Sequence, residues 1–336
     1  MVKDYSERLY KQRKLFAYGL RPSNKQIFDE SKIEVRSGAA GRLKPYLQYF
    51  RYCRRHKNDI FHLQNGGPLV LTLTLLAGVK NIAYHIHGTI YWKTAFQKVY
   101  LKTAWLMACK LLPFSKTTFI ANSRYSASIF LKNVMNVPIQ VVYNGLEVQR
   151  FSEKKSLRSE LRRIGFAGRL ANGKNVDLVI RLFEEAAAGR PELELHIAGD
   201  GPLRPALEEQ ARKSPFADRI QLHGHIKDIP AFYASVDLFL FLSAYESFGN
   251  VIAEALLTGL PTLTSNVPVF EEIYGAEKDF ILGNPDNFET VKQKFLHVTE
   301  DFPRLARKAY DISTSVEEQC SIENHLRQIE NVYEKY

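Results

Sequence analysis

Residues 245–261 read Tyr-Glu-Ser-Phe-Gly-Asn-Val-Ile-Ala-Glu-Ala-Leu-Leu-Thr-Gly-Leu-Pro, and they follow the apolar run Leu238–Leu242. The apolar run predicts a buried strand, and Val251–Leu257 predicts a helix that begins shortly after it. Where a helix begins at a strand end, unpaired backbone N–H groups and the positive helix end favour a bound phosphate. Glu246 and Glu254 stand eight positions apart at this junction. Their carboxylates can accept hydrogen bonds from the hydroxyls of a sugar and a ribose, although two solvated helix glutamates would give the same spacing.

A second charged motif follows the first predicted strand of the second half of the chain. Residues 168–174 read Gly-Arg-Leu-Ala-Asn-Gly-Lys, which places Arg169 and Lys174 five positions apart on a loop at the start of a helix. Two cations so placed suit a diphosphate, whose charge grows as the bond to a nucleotide-activated sugar breaks. A solvated basic loop is the alternative, and the glutamate pair downstream favours the diphosphate.

Short apolar runs alternate with helical stretches in two series along the chain. The first series extends from about Asp59 to Ile120, and the second begins near residue 150. Such alternation is typical of βαβ units and parallel sheets. We therefore predict two doubly wound α/β domains, residues 1–150 and 151–316, with the polar segment Ser152–Arg162 as linker. We predict a C-terminal helix in residues 317–336, amphipathic from Ile322 to Tyr336, that can cross back to the first domain.

Beyond these motifs, several short landmarks occur in a fixed order over residues 59 to 274, about two thirds of the chain. They are Asp59-Ile-Phe-His, His85-Ile-His-Gly, Ala121-Asn-Ser, Val142-Tyr-Asn-Gly-Leu-Glu, Gly168-Arg-Leu, Ala198-Gly-Asp-Gly-Pro and Gly259-Leu-Pro. The chain resembles the family 4 glycosyltransferases, whose Glu-x7-Glu signature is met by Glu246 and Glu254. The resemblance implies a GT-B architecture, two Rossmann-like doubly wound domains facing across a cleft, and transfer that retains the anomeric configuration without a metal.

The resemblance also implies roles for individual residues. Arg169 and Lys174 would bind the donor diphosphate, Glu254 the ribose, and Glu246 the transferred sugar. His87 would contact that sugar from the first domain, whereas His85 is expected to face the opposite side and to be a core or surface histidine. The predicted catalytic residues are His87, Arg169, Lys174 and Glu246, and the predicted donor-binding residues are Gly168, Phe248, Gly249, Asn250, Val251 and Glu254.

No metal or cofactor is expected. The sequence has no Asp-x-Asp at a predicted strand end, and a divalent cation that bridges a diphosphate needs clustered carboxylates. The transition state is expected to resemble an oxocarbenium ion. No carboxylate is evidently placed as a nucleophile, which favours a same-face mechanism in which the departing phosphate helps to deprotonate the acceptor. The nucleotide-sugar, expected to carry UDP or GDP, is a substrate.

The first half of the chain is strongly basic. Residues 1–150 contain 24 Lys and Arg against 7 Asp and Glu, whereas residues 151–336 contain 22 against 29. Basic residues beside aromatic ones, as in Tyr46–Tyr52, favour an anionic membrane surface, although the same stretch can be a helix core. We therefore expect a peripheral protein on the cytoplasmic face of the membrane with a glycan or polyprenyl-linked acceptor, as in cell-surface polysaccharide or glycolipid assembly. The predicted acceptor-side or membrane-facing residues are Arg51, Arg54 and Arg55.

Other functions fit the sequence less well. Nucleic acid is not an expected partner, because no zinc knuckle, RNP-like aromatic strand or basic zipper is present. Synthesis of a storage or soluble sugar is another activity within the same enzyme class, but relatives with that activity tend to be longer than this chain. A non-catalytic GT-B partner protein stays open, because the front of the chain is short or divergent. It offers only Lys14–Leu20 as a first strand and Gly38–Gly41 as a glycine-rich loop.

Overall fold

The computed structural model consists of two compact units. The first comprises the described residues up to Gly145 together with Ile322–Tyr336, and the second comprises Leu146–Ser321. The predicted boundaries at residues 150 and 317 differ slightly from these junctions because helices Val148–Ser152 and Phe302–Cys320 run through them. The structure describes residues 16–19, 34–37, 43–64, 66–88, 95–153 and 155–336.

The first unit contains a parallel sheet with the strand order β3-β4-β5-β6, and β1 and β2 form a separate parallel pair. The strand β1 lies within the segment predicted as the first strand, whereas the candidate loop at 38–41 lies outside the described residues. The elements of the first unit before residue 146, in the described ranges, are β1 (Phe16–Gly19), β2 (Glu34–Ser37), α1 (Lys44–Arg55), β3 (Ile60–Gln64), α2 (Gly67–Leu76), β4 (Asn81–Ile86), α3 (Ala95–Leu111), β5 (Lys116–Ala121), α4 (Arg124–Asn133) and β6 (Ile139–Val141).

Helices cover both faces of the β3–β6 sheet, as apolar central strands require. One face packs against the helices that precede β6 through a core that includes Leu71 and Trp105. The opposite face packs against α13 (Ile322–Tyr333), whose Ile329 and Val332 are fully buried against residues of β4 and β5. The last helix therefore completes the core of the first unit.

The second unit contains a six-stranded parallel sheet with the order β12-β11-β10-β7-β8-β9. Its elements are α5 (Val148–Ser152), β7 (Arg163–Ala167), α6 (Val176–Ala187), β8 (Glu194–Ala198), α7 (Arg204–Lys213), β9 (Ile220–Gly224), α8 (Ile229–Ser235), β10 (Leu238–Phe241), α9 (Asn250–Leu257), β11 (Thr262–Ser265), α10 (Pro268–Tyr274), β12 (Ile281–Gly283), α11 (Phe288–Glu300) and α12 (Phe302–Cys320).

The strand order reverses direction at β7. The chain builds β7, β8 and β9 toward one edge and then returns to place β10 on the other side of β7. In such a sheet the loops that leave the two central strands separate and open a crevice at the carboxyl ends, which is where ligands bind. The predicted α/β class with parallel sheets is confirmed, and the reversal positions the loops after β7 and β10 side by side.

Candidate active site

The loop after β7 is held by close backbone packing against the loop after β8. The Gly168 amide donates to the Ala198 carbonyl at 3.0 Å. Gly199 has a φ of +135°, and a Cβ there would lie 1.8 Å from the Gly168 carbonyl oxygen. Only glycine fits at such an approach. This contact fixes the position of the first residues of the loop after β7. Arg169 therefore lies at the carboxyl end of the sheet, and its side chain is exposed.

Lys174 and Glu246 form an ion pair across the loops after β7 and β10. The ammonium also lies 3.5 Å from the Ser243 hydroxyl and 5.1 Å from the centre of the Phe241 ring. The two loops are joined by a hydrogen bond from the Ala244 amide to the Gly173 carbonyl at 2.7 Å. The side chains of Lys174 and Glu246 are only 21% and 17% exposed, which limits the screening of their charges by water. The structure thus brings together two residues predicted separately from two motifs.

A left-handed glycine starts helix α9 at the same end of the sheet. Gly249 has a φ of 90° and precedes Asn250 and Val251, the first two helical residues. Phe248 is buried, and a Cβ on Gly249 would lie 3.0 Å from the ring of Phe270. The N–H groups of the first helical turn, together with the helix dipole, provide an anion-binding position.

Glu254 lies one turn further along α9. The Tyr233 hydroxyl donates to its Oε2 at 3.2 Å. Burial raises the pKa of Glu254, and the hydrogen bond from Tyr233 counteracts this shift by favouring the charged carboxylate. Tyr233 is fully buried on α8. The sequence did not predict it as a site residue, because no local pattern links it to a glutamate 21 positions away.

The described residues of the segment Ser152–Arg162, predicted as a linker, belong to the second unit. Arg158 is only 7% exposed. Its guanidinium donates to the carbonyls of Tyr233 at 3.0 Å, Thr258 at 3.2 Å and Val236 at 3.3 Å. These carbonyls lie at the C-terminal ends of α8 and α9, where the helix leaves them without an internal partner. The linker prediction was wrong because the composition of a charged segment does not indicate which of its arginines is buried.

His87 follows β4 in the first unit and lies in a cluster of four histidines. Its Nε2 contacts the Gln64 Oε1 atom, and its ring stacks on His85 with the centroids 4.0 Å apart. Burial, together with the charge that His325 would carry, lowers the pKa of His87 to about 4. His62, the fourth histidine, lies with its Nε2 3.2 Å from the Nδ1 of His85.

The prediction that His85 faces away from His87 was wrong. Successive residues of a strand alternate between its two faces, so residues two positions apart share a face. His85 is indeed buried as a core residue, but its ring lies against His87. Its Nε2 atom has no hydrogen-bond partner among the described residues.

Helix α1 divides its aromatic and basic residues between opposite sides. Tyr49 is buried, and its hydroxyl lies 2.7 Å from the hydroxyl of Thr74 on α2. The outer side presents Leu47 and the three predicted arginines Arg51, Arg54 and Arg55, all of them exposed. The aromatic residues therefore belong in part to the helix core, which was the alternative interpretation of this stretch.

The described residues contain neither a metal-ligand cluster nor a membrane-spanning helix. In those ranges no three His, Cys, Asp or Glu side chains are grouped as in a metal site. No helix there combines the length and the apolar character needed to cross a bilayer.

A reversed parallel sheet with a lysine, two glutamates and a glycine-capped helix start at its switch point is the arrangement of a nucleotide-binding α/β protein. The family described as "Glycosyl transferases group 1" matches residues 147–311, and "Glycosyltransferase Family 4" matches residues 17–150. The chain belongs to the GT-B glycosyltransferases that these families describe.

Two curated relatives and one solved structure illustrate the similarity. A lipopolysaccharide core biosynthesis mannosyltransferase of Rhizobium meliloti is 28% identical over 60% of this chain, and the match spans 62% of that relative's length. An Escherichia coli UDP-Gal:alpha-D-GlcNAc-diphosphoundecaprenol alpha-1,3-galactosyltransferase is 26% identical over 77% of this chain and 71% of its own. The Anabaena protein HepE, solved with UDP and glucose, is 19% identical with a TM-score of 0.78, covering 100% of this chain and 95% of its own. At this identity the structural match establishes the fold.

Proposed function

We propose that this protein is a retaining, metal-independent hexosyltransferase that moves a sugar from a UDP- or GDP-sugar to a glycan or lipid-linked acceptor. The observation that carries the proposal is the meeting of Lys174, Glu246 and the start of α9 at the carboxyl ends of β7 and β10. The matched relatives, named for mannosyl and galactosyl transfer in lipopolysaccharide and on diphosphoundecaprenol, support a role in cell-surface polysaccharide or glycolipid assembly.

The charges of this site suit a diphosphate leaving group. An ammonium has three donors, so Lys174 can keep its contact with Glu246 and still donate to a phosphate oxygen. Arg169, exposed on the same loop, can add two parallel hydrogen bonds. With the N–H groups of α9, these cations stabilise the negative charge that develops on the diphosphate, the task that a divalent metal performs elsewhere.

We assign Glu254 to the ribose and Glu246 to the transferred sugar. Tyr233 holds Oε2 of Glu254, so we assign its Oε1 to accept from a ribose hydroxyl. Glu246 is held by Lys174, and a carboxylate neutralised in this way is a poor nucleophile. Retention then follows if the departing phosphate deprotonates an acceptor that attacks from the same face of the sugar, with His87 in contact with the sugar.

We further propose that the first unit binds the anionic inner face of a membrane through helix α1. Leu43 and Leu47 are 75% and 59% exposed, and the basic face with Arg51, Arg54 and Arg55 continues the same helix. Exposed leucines beside arginines can insert at the headgroup boundary while the guanidinium groups pair with lipid phosphates.

The direct test measures nucleotide release from UDP-, GDP- and ADP-sugars, with and without membrane lipid extract. Wild-type protein is compared with Lys174→Ala and with Lys213→Ala, whose lysine is 74% exposed on α7. We expect release from one donor, raised by lipid, insensitive to a chelator, and lost only in Lys174→Ala. Silence across the panel would favour the alternative, a non-catalytic GT-B partner of a glycosylation complex.

Three further measurements test the finer parts of the proposal. The anomeric configuration of the product, read by NMR, should match that of the donor, and a glycosyl adduct trapped on an enzyme carboxylate would contradict the same-face mechanism.

Sedimentation of the protein with anionic vesicles at physiological salt should fall when Arg51, Arg54 and Arg55 are all changed to Gln. Equal binding to zwitterionic vesicles would rule out the membrane role of these arginines.

A further inference from the structure

A continuous chain of hydrogen bonds joins the C-terminal helix to His87. The Tyr333 hydroxyl on α13 lies 2.7 Å from Nδ1 of His62, although 271 positions separate the two residues. Nε2 of His62 lies 3.0 Å from the amide nitrogen of Gln64. The amide oxygen of Gln64 contacts Nε2 of His87. All four residues belong to the first unit: His62 lies within β3, Gln64 ends β3, His87 follows β4 and Tyr333 ends α13.

The Gln64 amide gives this chain a direction. A carboxamide oxygen only accepts and its nitrogen only donates. Nε2 of His87 must therefore carry a proton, and Nε2 of His62 must be unprotonated. Neutral His62 then carries its proton on Nδ1 and donates it to the Tyr333 hydroxyl. In the same way, neutral His87 has its lone pair on Nδ1.

Both histidines are neutral at physiological pH, as this assignment requires. Burial lowers the pKa of His62 to about 3 and that of His87 to about 4. The charges that His87 and His325 would carry add to the pKa shift of His62, and the charge that His325 would carry adds to that of His87. A neutral ring has one donor and one acceptor, so the state of one ring constrains its neighbour.

We infer that Tyr333, His62 and Gln64 are positioning residues that set the tautomer and orientation of His87. The role of His87 in sugar transfer belongs to the proposed function, but the setting of its tautomer does not depend on that role. Loss of the Tyr333 hydroxyl lets His62 move its proton to Nε2, which lies 3.0 Å from the Gln64 amide nitrogen and 3.2 Å from Nδ1 of His85. A proton at the shorter contact opposes the amide N–H group of Gln64. The amide turns over, presents its nitrogen to His87, and drives the His87 proton to Nδ1.

The test is the tautomer of His87, read by long-range proton–nitrogen NMR on the full-length protein and assigned with a His87→Asn variant. We expect protonated Nε2 in wild type and a shift toward protonated Nδ1 in Tyr333→Phe. The control is Tyr336→Phe, because the Tyr336 hydroxyl bonds the Ile82 carbonyl of the same sheet at 2.5 Å and not a histidine. Gln64→Leu should also lose the preference for protonated Nε2. Gln64→Glu should retain it, because a carboxylate still accepts from His87.

Turnover distinguishes the inference from the proposed function. We expect kcat to fall about tenfold in Tyr333→Phe, the effect of one misplaced hydrogen bond, with the donor KM within about twofold of wild type. An unchanged His87 tautomer in both Tyr333→Phe and Gln64→Leu would overturn the inference. A changed tautomer with unchanged turnover would support the positioning chain and remove His87 from the transfer step.

Discussion

Arg158 should be worth several kilocalories per mole to the second unit, although it lies in a segment with the composition of a linker. Replacement by Met keeps most of the aliphatic stem and removes every donor. Three buried carbonyls, those of Tyr233, Val236 and Thr258, then lose a hydrogen-bond partner. These three residues are fully inaccessible to solvent, so their carbonyls have little recourse to water.

The expected loss follows from these contacts. An unsatisfied buried acceptor costs about 1–3 kcal/mol, and the lower value applies where the structure can relax. The Thr258 carbonyl still accepts from the Ser156 amide at 3.2 Å. The loss therefore comes from the Tyr233 and Val236 carbonyls and is about 3 kcal/mol for Arg158→Met, about 1.5 kcal/mol for each. The matched control is Arg162→Met, since Arg162 is 65% exposed and pairs with the exposed Glu160. Such a pair contributes about 0–1 kcal/mol.

Urea unfolding can separate the two units. Both tryptophans, Trp92 and Trp105, precede residue 146, so tryptophan fluorescence reports the first unit and circular dichroism reports both. With a urea dependence of about 2 kcal/mol per molar, Arg158→Met should lower the midpoint of the second unit by about 1.5 M. The fluorescence transition should shift less than the dichroism transition. If Arg158→Met unfolds within about 0.5 kcal/mol of Arg162→Met, the caps on α8 and α9 contribute nothing measurable and the reasoning is refuted.

Three further predictions concern the loops, the histidines and the donor site. Gly199→Ala should abolish donor binding, because its Cβ would lie 1.8 Å from a neighbouring carbonyl oxygen, whereas Gly189→Ala, with open space around its Cβ, should bind donor normally in titration calorimetry. The folded-state pKa values of His87 and His62, about 4 and about 3, lie below the ordinary 6.5, so stability should be constant above pH 6.5 and fall as the pH drops below it. The slope is about 1.4 kcal/mol per pH unit for each histidine, and a His87→Asn variant measured by urea midpoints should show a shallower decline. Finally, Glu254→Gln should weaken UDP binding about tenfold or more, the value of a hydrogen bond to a charged group, and should leave binding of a dideoxyribose analogue of UDP unchanged; equal loss with both ligands would contradict the ribose assignment.

The sequence by itself determined the features that depend on neighbouring residues. Strand and helix periods, the glycine before α9 and the spacing of Glu246 and Glu254 are local patterns, and each is found in the structure where the sequence predicted it. The shared face of His85 and His87 was equally readable from the strand period, and the prediction failed only because that period was misapplied.

Only the tertiary structure decided which distant side chains meet. The partnership of His62 with Tyr333 spans 271 positions, and that of Arg158 with Thr258 spans 100. Neither follows from a local pattern, because a hydrogen bond depends on a few tenths of an ångström and on the path of the chain between its partners. Burial likewise depends on how the elements pack. Packing places Arg158 where it caps α8 and α9, and it places Tyr333 against the histidine cluster.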